Sequence, residues 1–118
     1  AFSTLTGEMN WQIPFGKTKL SETNQVDGSV NFGGLLTTKG NIVIATGTTD
    51  NKIYVLNSKN GKTLWEYEMV YAGSSPAMTY LYKGNQYIII NSSGGQYYGY
   101  DNQVYGDVTY AFKLNWKS

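Results

Sequence analysis

The sequence predicts an all-β protein built from antiparallel sheets. Short runs rich in β-branched and aromatic residues recur along the chain, and Gly or Asn residues separate them, as at 39–41 and 59–61. Asn-Gly and Gly-Asn pairs supply the positive φ angles that tight hairpins require. No segment has a sustained helical period, and the 14 glycines disfavour helices. Antiparallel hairpins are therefore the predicted building blocks.

An internal repeat gives these hairpins a larger organisation. Residues 1–11 align with residues 55–65 at one offset of 54 residues, which pairs Trp11 with Trp65. Residues 110–113 begin a third, partial copy. Repeats of this size are typical of architectures in which successive units bury each other's faces. The repeat predicts that the two tryptophans occupy equivalent places in successive sheets of a larger ring-shaped protein.

The predicted strands group by fours, which is the size of a β-propeller blade. We interpret residues 1–14 as an orphan outer strand, 30–70 as a complete blade, and 74–115 as three strands of the next blade. About two antiparallel four-stranded propeller blades are thus predicted. The individual strands are predicted at 9–14, 32–37, 41–47, 52–57, 62–69, 75–82, 85–91 and 107–114.

Two longer connections interrupt the strand pattern. Residues 16–30 are mostly polar and are predicted to form a surface crossover between blades. Residues 92–106 are rich in glycine and tyrosine, and two interpretations stay open for the loop at 93–106. It is either a hairpin loop packed over its own base, or a rim loop that lines an entrance or contacts sugar or another subunit.

The composition excludes several functions. An aromatic content of 15% with only 14% charged residues is typical of a folded chain and not of a disordered one. The nine basic residues are all scattered lysines, so no nucleic-acid surface is predicted. The longest apolar run is about four residues, which is far too short to span a membrane. The chain has no Cys and no His, which removes thiol chemistry, the usual zinc sites and the commonest general base.

Ordered motifs along nearly the whole chain resemble those of one enzyme family. They resemble the tryptophan-docking repeats and neighbouring segments of pyrroloquinoline quinone (PQQ)-dependent dehydrogenases, which are eight-bladed propeller enzymes that oxidise alcohols and sugars. The match is with the C-terminal end of the family, and the membrane-type glucose and sugar dehydrogenase branch is the most similar. The motifs are Ala-Phe-Ser-Thr-Leu-Thr-Gly-Glu-Met-Asn-Trp at 1–11, Leu-Asn-Ser-Lys-Asn-Gly-Lys-Thr-Leu-Trp at 56–65, Phe-Gly-Gly-Leu-Leu-Thr-Thr-Lys-Gly-Asn-Ile-Val at 32–43, Ala-Thr-Gly-Thr-Thr-Asp at 45–50, Ser-Pro-Ala-Met-Thr-Tyr at 75–80, Lys-Gly-Asn-Gln-Tyr-Ile at 83–88, Ser-Gly-Gly at 93–95 and Gly-Asp at 106–107.

Four positions depart from the family pattern. Ser3 and Asn57 stand where the family favours aspartate, but both side chains are still able to cap a turn. Phe32 precedes the Gly-Gly pair where alcohol-oxidising relatives carry tryptophan, which favours the sugar branch or an unassigned one. Gln96 replaces a histidine expected in the last loop of sugar dehydrogenases.

The resemblance implies a calcium-bound PQQ in the full-length parent, and a catalytic aspartate that lies upstream of this segment. No catalytic residue and no metal ligand is therefore assigned here. Phe32, Gly33 and Gly34 are the candidate cofactor-binding residues, since the family places this innermost strand beside the quinone. The alternative is that the glycines only relieve crowding between inner strands. Asp50 and Asp107 are predicted turn caps rather than a base or metal ligands.

The resemblance also implies what the whole protein does and where. The chain is expected to be the C-terminal portion of a periplasmic dehydrogenase acting on a sugar or alcohol, and to lack activity as a fragment. Its expected partners are the remaining propeller blades or copies of itself, four of which would close a ring. The alternative is a non-enzymatic propeller that serves as a scaffold or assembly module of the cell envelope.

Overall fold

The computed structural model describes residues 1–29, 31, 33–73, 75–94 and 106–114. Within these residues the chain forms a two-stranded, a four-stranded and a three-stranded sheet, and every strand pair is antiparallel. The predicted all-β antiparallel fold class is confirmed. The strands are β1 (Lys17–Lys19), β2 (Gln25–Asp27), β3 (Leu35–Thr38), β4 (Ile42–Ala45), β5 (Lys52–Asn57), β6 (Thr63–Glu68), β7 (Met78–Tyr82), β8 (Asn85–Ser92) and β9 (Val108–Leu114).

The four-stranded sheet is a meander in the order β3-β4-β5-β6. Its register places Leu36 beside Ile44, Ile44 beside Val55, and Val55 beside Trp65, so these four side chains form one row across one face. Asn41, at a φ of 60°, closes the first hairpin. Asparagine tolerates this left-handed backbone better than most residues do.

The three-stranded sheet has the order β7-β8-β9. Lys83 (φ 49°) and Gly84 (φ 77°) connect its first two strands, and positive φ at both positions is typical of a tight two-residue hairpin turn. This sheet and the four-stranded sheet account for strands predicted within 30–70 and 74–115. Their assignment to two blades of a ring stays a prediction.

The hydrophobic core lies between these two sheets. Because strands alternate their side chains, each sheet turns one apolar row toward the other. Burying one such side chain stabilises the fold by about 1.5–3 kcal/mol relative to leaving it exposed. The aromatic side chains of Trp65, Tyr67, Tyr110 and Phe112 make ring contacts beside this core. The buried members of the core are Ile42, Ile44, Ile53, Val55, Met69, Ala77, Ile88 and Ile90.

The outer faces of the two sheets differ. Residues before β1 cover part of the four-stranded sheet, where the Phe15 and Tyr54 rings meet edge to face at 5.3 Å. On the three-stranded sheet, Met78, Tyr80 and Tyr82 alternate along β7 and are exposed. No helix in the described part of the chain is long and apolar enough to cross a membrane.

Two predictions about the first 30 residues are corrected. No strand forms at 9–14: Met9 makes an isolated bridge with Phe2, among the described residues the backbones of Asn10 and Trp11 bond only to Ala1, and residues 12–14 are in no strand. The crossover at 16–30 is exposed as predicted, but it contains the hairpin β1–β2. That hairpin has almost no apolar side chains, so its sequence lacks the usual strand signal. The part of the tyrosine-rich loop at 95–105, with Gln96, lies outside the described residues.

Candidate functional site

The connections between strands meet at one edge of the two large sheets. β4 and β6 end at this edge, and β3, β5 and β7 begin there. Hydrogen bonds join the connections: the Thr46 hydroxyl donates to the Ser75 carbonyl at 3.3 Å, and the Ser93 amide donates to the Ala72 carbonyl at 3.2 Å. We call this edge, formed by the described residues of 28–34, 46–51 and 69–77, the loop edge.

Two backbone segments cross in contact at the loop edge. A Cβ atom added to Gly33 would overlap the carbonyl of Thr46, and one added to Gly47 would overlap the backbone of Gly33. Gly47 also has a φ of 93°, a conformation that side chains strongly disfavour. The Asn31 side chain accepts a hydrogen bond from the Gly33 amide at 2.7 Å. Glycine is therefore required on both sides of the crossing.

Gly34 is also packed against the chain's own atoms. A Cβ atom there would lie 2.6 Å from Cγ of Pro76, closer than real contacts allow. At both Gly33 and Gly34, atoms of the protein itself fill the space that a Cβ atom would occupy. This close packing favours the explanation that the two glycines relieve crowding between strands. It leaves no open cradle for a quinone where their Cβ atoms would stand. A cofactor contact at these residues stays a prediction, and Phe32 lies outside the described residues.

Asp50 is the main polar centre of the loop edge. Its Oδ1 accepts hydrogen bonds from the Thr48 hydroxyl and, at 3.2 Å, from the Lys52 amide. Its Oδ2 accepts from the Tyr54 hydroxyl and, at 3.1 Å, from the Lys17 amide. The bond to Lys52 is the turn cap predicted for Asp50. The other three bonds tie together the turn, β5 and the start of β1.

The phenol of Tyr54 is held as a hydrogen-bond donor. Burial of this side chain raises the pKa of Tyr54 well above its ordinary value, and the hydrogen bond to Asp50 raises it further. The negative charges of Asp50 and Glu66 act in the same direction. The phenol therefore stays protonated and donating at physiological pH.

The described residues do not form a metal site. No group of three or more Asp, Glu, His or Cys side chains among them is arranged to hold an ion. The Asp50 oxygens already accept four hydrogen bonds from the chain itself, which leaves little capacity for calcium. Asp107 is exposed just before β9, and its predicted role as a turn cap stays a prediction.

Trp11 docks at the opposite edge of the four-stranded sheet. Its indole nitrogen donates to the Ser58 carbonyl at 2.8 Å. Its ring lies on Gly61, where any Cβ atom would overlap it, and Gly61 has a φ of 75°. The Ser58 amide donates in turn to the Asn41 carbonyl at 2.9 Å. A large aromatic ring is thus seated on the 58–61 turn, which itself is joined to the neighbouring hairpin.

Trp65 has different surroundings, so the predicted equivalence of the two tryptophans is not seen. Its side chain is 40% exposed and meets Phe112 edge to face at 5.2 Å, with Tyr67 stacked at 6.0 Å. Gly61, on which Trp11 rests, lies 50 residues after Trp11 in the chain. The same separation from Trp65 leads to residue 115, which lies outside the described residues. The turn that would receive Trp65 is therefore not among the residues described, and its docking role stays a prediction.

The sequence interpretation missed two features of the loop edge. Gly47 was placed in a turn motif, but its contact with Gly33 was not foreseen. Asp50 was predicted to cap its own turn, but its bonds to Tyr54 and Lys17 were not. No local pattern predicts these bonds, because residues 49–50 form a turn and Lys17 is 33 residues away from Asp50.

Comparison with known proteins gives consistent similarities. Residues 1–88 match the family model described as PQQ, glucose/ethanol/alcohol dehydrogenase, β-propeller domain. The chain is 31% identical over 115 residues to quinoprotein glucose dehydrogenase A of Acinetobacter calcoaceticus, covering 92% of the chain and 14% of that protein. It is 32% identical over 87 residues to quinoprotein glucose dehydrogenase of Escherichia coli K12, covering 74% and 11%. It is 26% identical over 125 residues to quinate/shikimate dehydrogenase (quinone) of Acinetobacter baylyi, covering 97% and 15%.

A solved structure shows the same fold. Quinohemoprotein alcohol dehydrogenase from Comamonas testosteroni superposes with a TM-score of 0.61 at 24% identity, over 80% of this chain and 15% of that one. The chain therefore spans only a small part of the length of each relative.

Proposed function

Because this chain belongs to the PQQ-dependent glucose/ethanol/alcohol dehydrogenase β-propeller family, we propose that it is the C-terminal part of a quinoprotein that oxidises a sugar or an alcohol. The observation that carries this proposal is the family match over residues 1–88. That stretch includes both the Gly33–Gly47 crossing and the Trp11 docking site.

In the proposed reaction, a hydroxyl-bearing carbon of the substrate becomes a carbonyl carbon and loses two electrons and two protons. When bound, PQQ supplies the chemistry by accepting both electrons and both protons before the electrons pass to an external acceptor. No proton transfer is assigned to the described residues. The role proposed for this chain is to close the propeller and to form one wall of the cofactor pocket, with Phe32, Gly33 and Gly34 nearest the quinone.

The structure supports a wall more readily than a set of ligands. The Gly33–Gly47 contact and the Pro76 contact hold the backbone near Gly34 in one position. A rigid backbone of this kind places a flat group at low entropic cost, since little is left to order on binding. The calcium ligands and the catalytic base are proposed to come from other blades of the parent, which we place in the periplasm.

The test uses the full-length gene product supplied with PQQ and Ca²⁺. We expect saturable PQQ binding and dye reduction with at least one member of a panel of sugars and alcohols, and recovery in the periplasmic fraction. The 118-residue chain alone, as the control, is expected to reduce no dye. Failure of the full-length protein both to bind PQQ and to reduce dye would contradict the proposal and favour the non-enzymatic scaffold.

A further inference from the structure

The β1–β2 hairpin has no hydrophobic core of its own. Residues 20–27 are all exposed, including Leu20 and Val26. The ion pair between Lys17 and Asp27 is 3.8 Å long and exposed, so it contributes little to holding the strands. A hairpin of this kind is marginal in water unless something else holds it in place.

Polar contacts at the base of the hairpin hold it to the four-stranded sheet. The Lys17 amide donates to Asp50 at 3.1 Å, and the Thr49 hydroxyl donates to the Lys17 carbonyl at 3.1 Å. Just after β2, the Thr49 amide donates to the Ser29 hydroxyl at 2.9 Å. Both ends of the hairpin are therefore fastened to the turn at 48–50.

Asp50 is itself held rigidly by the residues around it. The Thr48 side chain, which is fully buried, donates to one carboxylate oxygen, and the Tyr54 phenol donates to the other. Gly16, just before the hairpin, lies so close to Thr48 that a Cβ atom would overlap that side chain. Charge-assisted hydrogen bonds of this kind are about twice as strong as neutral ones. The carboxylate is thus a fixed acceptor for the Lys17 amide.

The same turn connects the hairpin to the proposed pocket wall. Thr48 forms an antiparallel bridge with Asn31, and the Asn31 side chain accepts from the Gly33 amide at 2.7 Å. Asp50 is therefore connected to the Gly33–Gly47 crossing through Thr48 and Asn31. The hairpin stands at the loop edge, beside the residues proposed to face the cofactor.

We propose that Asp50 is a positioning residue whose carboxylate fixes the β1–β2 hairpin as a rim beside the pocket, where the hairpin limits how the sugar or alcohol substrate enters. The role of the rim rests on the proposed function, whereas the role of Asp50 in holding the hairpin does not. Asp50 neither touches the substrate nor moves a proton. It acts through the Lys17 amide.

The test compares Asp50→Asn with Asp107→Asn in the full-length protein. An asparagine at position 50 keeps the shape but replaces one carboxylate oxygen with an NH2 donor, so it accepts either from Tyr54 and Lys17 or from Thr48 and Lys52, and not from all four. It also lacks the negative charge that strengthens the bond from the Lys17 amide. Asp107 is an exposed aspartate beside the other large sheet, which makes it the matched control. We expect amide hydrogen exchange at 17–20 to become about tenfold faster in Asp50→Asn and unchanged in Asp107→Asn. Exchange in β8, at the core, serves as the internal reference.

A kinetic measurement tests the rim. In the PQQ-loaded enzyme, Asp50→Asn should raise the substrate KM several-fold while kcat and PQQ affinity stay within about twofold of the unchanged protein. Unchanged exchange at 17–20 would overturn the role of Asp50. Faster exchange with an unaltered KM would overturn the rim. A full-length protein with no dye-linked activity would sink the proposed function, and the exchange result would still decide whether Asp50 holds the hairpin.

If amide exchange in Asp50→Asn becomes faster throughout the molecule, including β8, the effect is not specific to the hairpin. A second variant then tests the bond by itself. Lys17→Pro removes the amide that donates to Asp50, together with the exposed ion pair to Asp27, and leaves the Asp50 carboxylate with its other three partners. We expect faster exchange confined to the hairpin. Full protection of residues 18–27 in Lys17→Pro would show that the hairpin does not depend on this bond, and the proposal would fail.

Discussion

Trp11 and Trp65 hold matching positions in the internal repeat, yet Trp11 is seated on the 58–61 turn whereas Trp65 faces the rings of the neighbouring sheet. Trp11 has a hydrogen-bond acceptor, Ser58, and a flat glycine surface, Gly61. Among the described residues, the Trp65 ring meets the rings of Phe112 and Tyr67, and the residue is 40% exposed. The repeat motif therefore supplies a side chain able to dock, and the difference lies in the receiving turn: that of Trp11 is among the described residues, whereas the one that would receive Trp65 is outside them.

The two environments differ in expected energy. A hydrogen bond from the Trp11 indole contributes about 1 kcal/mol, and the ring burial adds to it. The edge-to-face contact of Trp65 with Phe112 contributes about 0.5–1.5 kcal/mol beyond its buried area. Substitutions at matching positions of the repeat should therefore lower the free energy of unfolding by unequal amounts.

The largest effect is expected at the glycine beneath Trp11. Gly61 and Gly7 are equivalent in the repeat and have nearly the same φ, 75° and 72°, but only Gly61 has a ring above it, because nothing lies within 4 Å of a Cβ on Gly7. Gly7→Ala should cost about 1–2 kcal/mol of unfolding free energy from backbone strain alone. Gly61→Ala should cost about 3 kcal/mol or more, because the alanine also displaces Trp11.

Urea titration of both variants gives this comparison directly. Adding Trp11→Ala to Gly61→Ala removes the overlap, so the double variant should be more stable than the sum of the single losses predicts. Equal losses for Gly7→Ala and Gly61→Ala would show that the ring does not rest on the turn in solution.

The next effect concerns removal of each indole. Trp11→Ala should cost about 2–3 kcal/mol, because it empties the docking site and leaves the Ser58 carbonyl without its donor. Trp65→Ala should cost about 1 kcal/mol, since the ring is already partly in water. Thermal unfolding midpoints rank the two variants. A larger loss at Trp65 would mean that Trp65 is docked on residues beyond those described.

The smallest effect separates the indole nitrogen from the ring. Trp11→Phe keeps an aromatic surface but loses the donor to Ser58, and should cost about 1 kcal/mol. Trp65→Phe keeps its packing partner and should cost less than about 0.5 kcal/mol. Both variants also retain the tryptophan at position 116, so the difference in acrylamide quenching between them reports the exposure of the other remaining tryptophan, with stronger quenching expected when Trp65 is retained. If Trp11→Phe and Trp65→Phe were equally stable, the hydrogen bond to Ser58 would not contribute to the docking of Trp11.

Features determined by neighbouring residues were predictable. The turn at Lys83 and Gly84 was expected from its glycine and asparagine, and both residues have the positive φ that the hairpin requires. The β-branched and aromatic runs at 42–45 and 53–56 predicted strands, and β4 and β5 form there with nearly all of these residues buried. In contrast, residues 9–14 were predicted as a strand from their pattern, but they form only an isolated bridge at Met9, because the pairing with the residues at 1–2 is too short to extend into a strand.

Features that join distant segments were not predictable in detail. The β1–β2 hairpin has no apolar alternation, and it is held by Asp50, which is 33 residues away from Lys17. The Gly33–Gly47 pair was noticed only for Gly33 and was interpreted through a resemblance. The contacts of Gly33 with Thr46, and of Gly47 with Gly33, show that glycine is needed there for packing within the chain.

The amino-acid sequence alone determined the antiparallel strands, the glycine and asparagine turns, the repeat and, through its motifs, the family. Each of these depends on local backbone preference or on residue order, which a linear chain carries in full. Only the tertiary structure decided that Trp11 meets Gly61, that Asp50 accepts from Lys17, and that Gly33 crosses Gly47. Those contacts bring together segments 14 to 50 residues apart, and their geometry follows from how the sheets pack and not from any local signal.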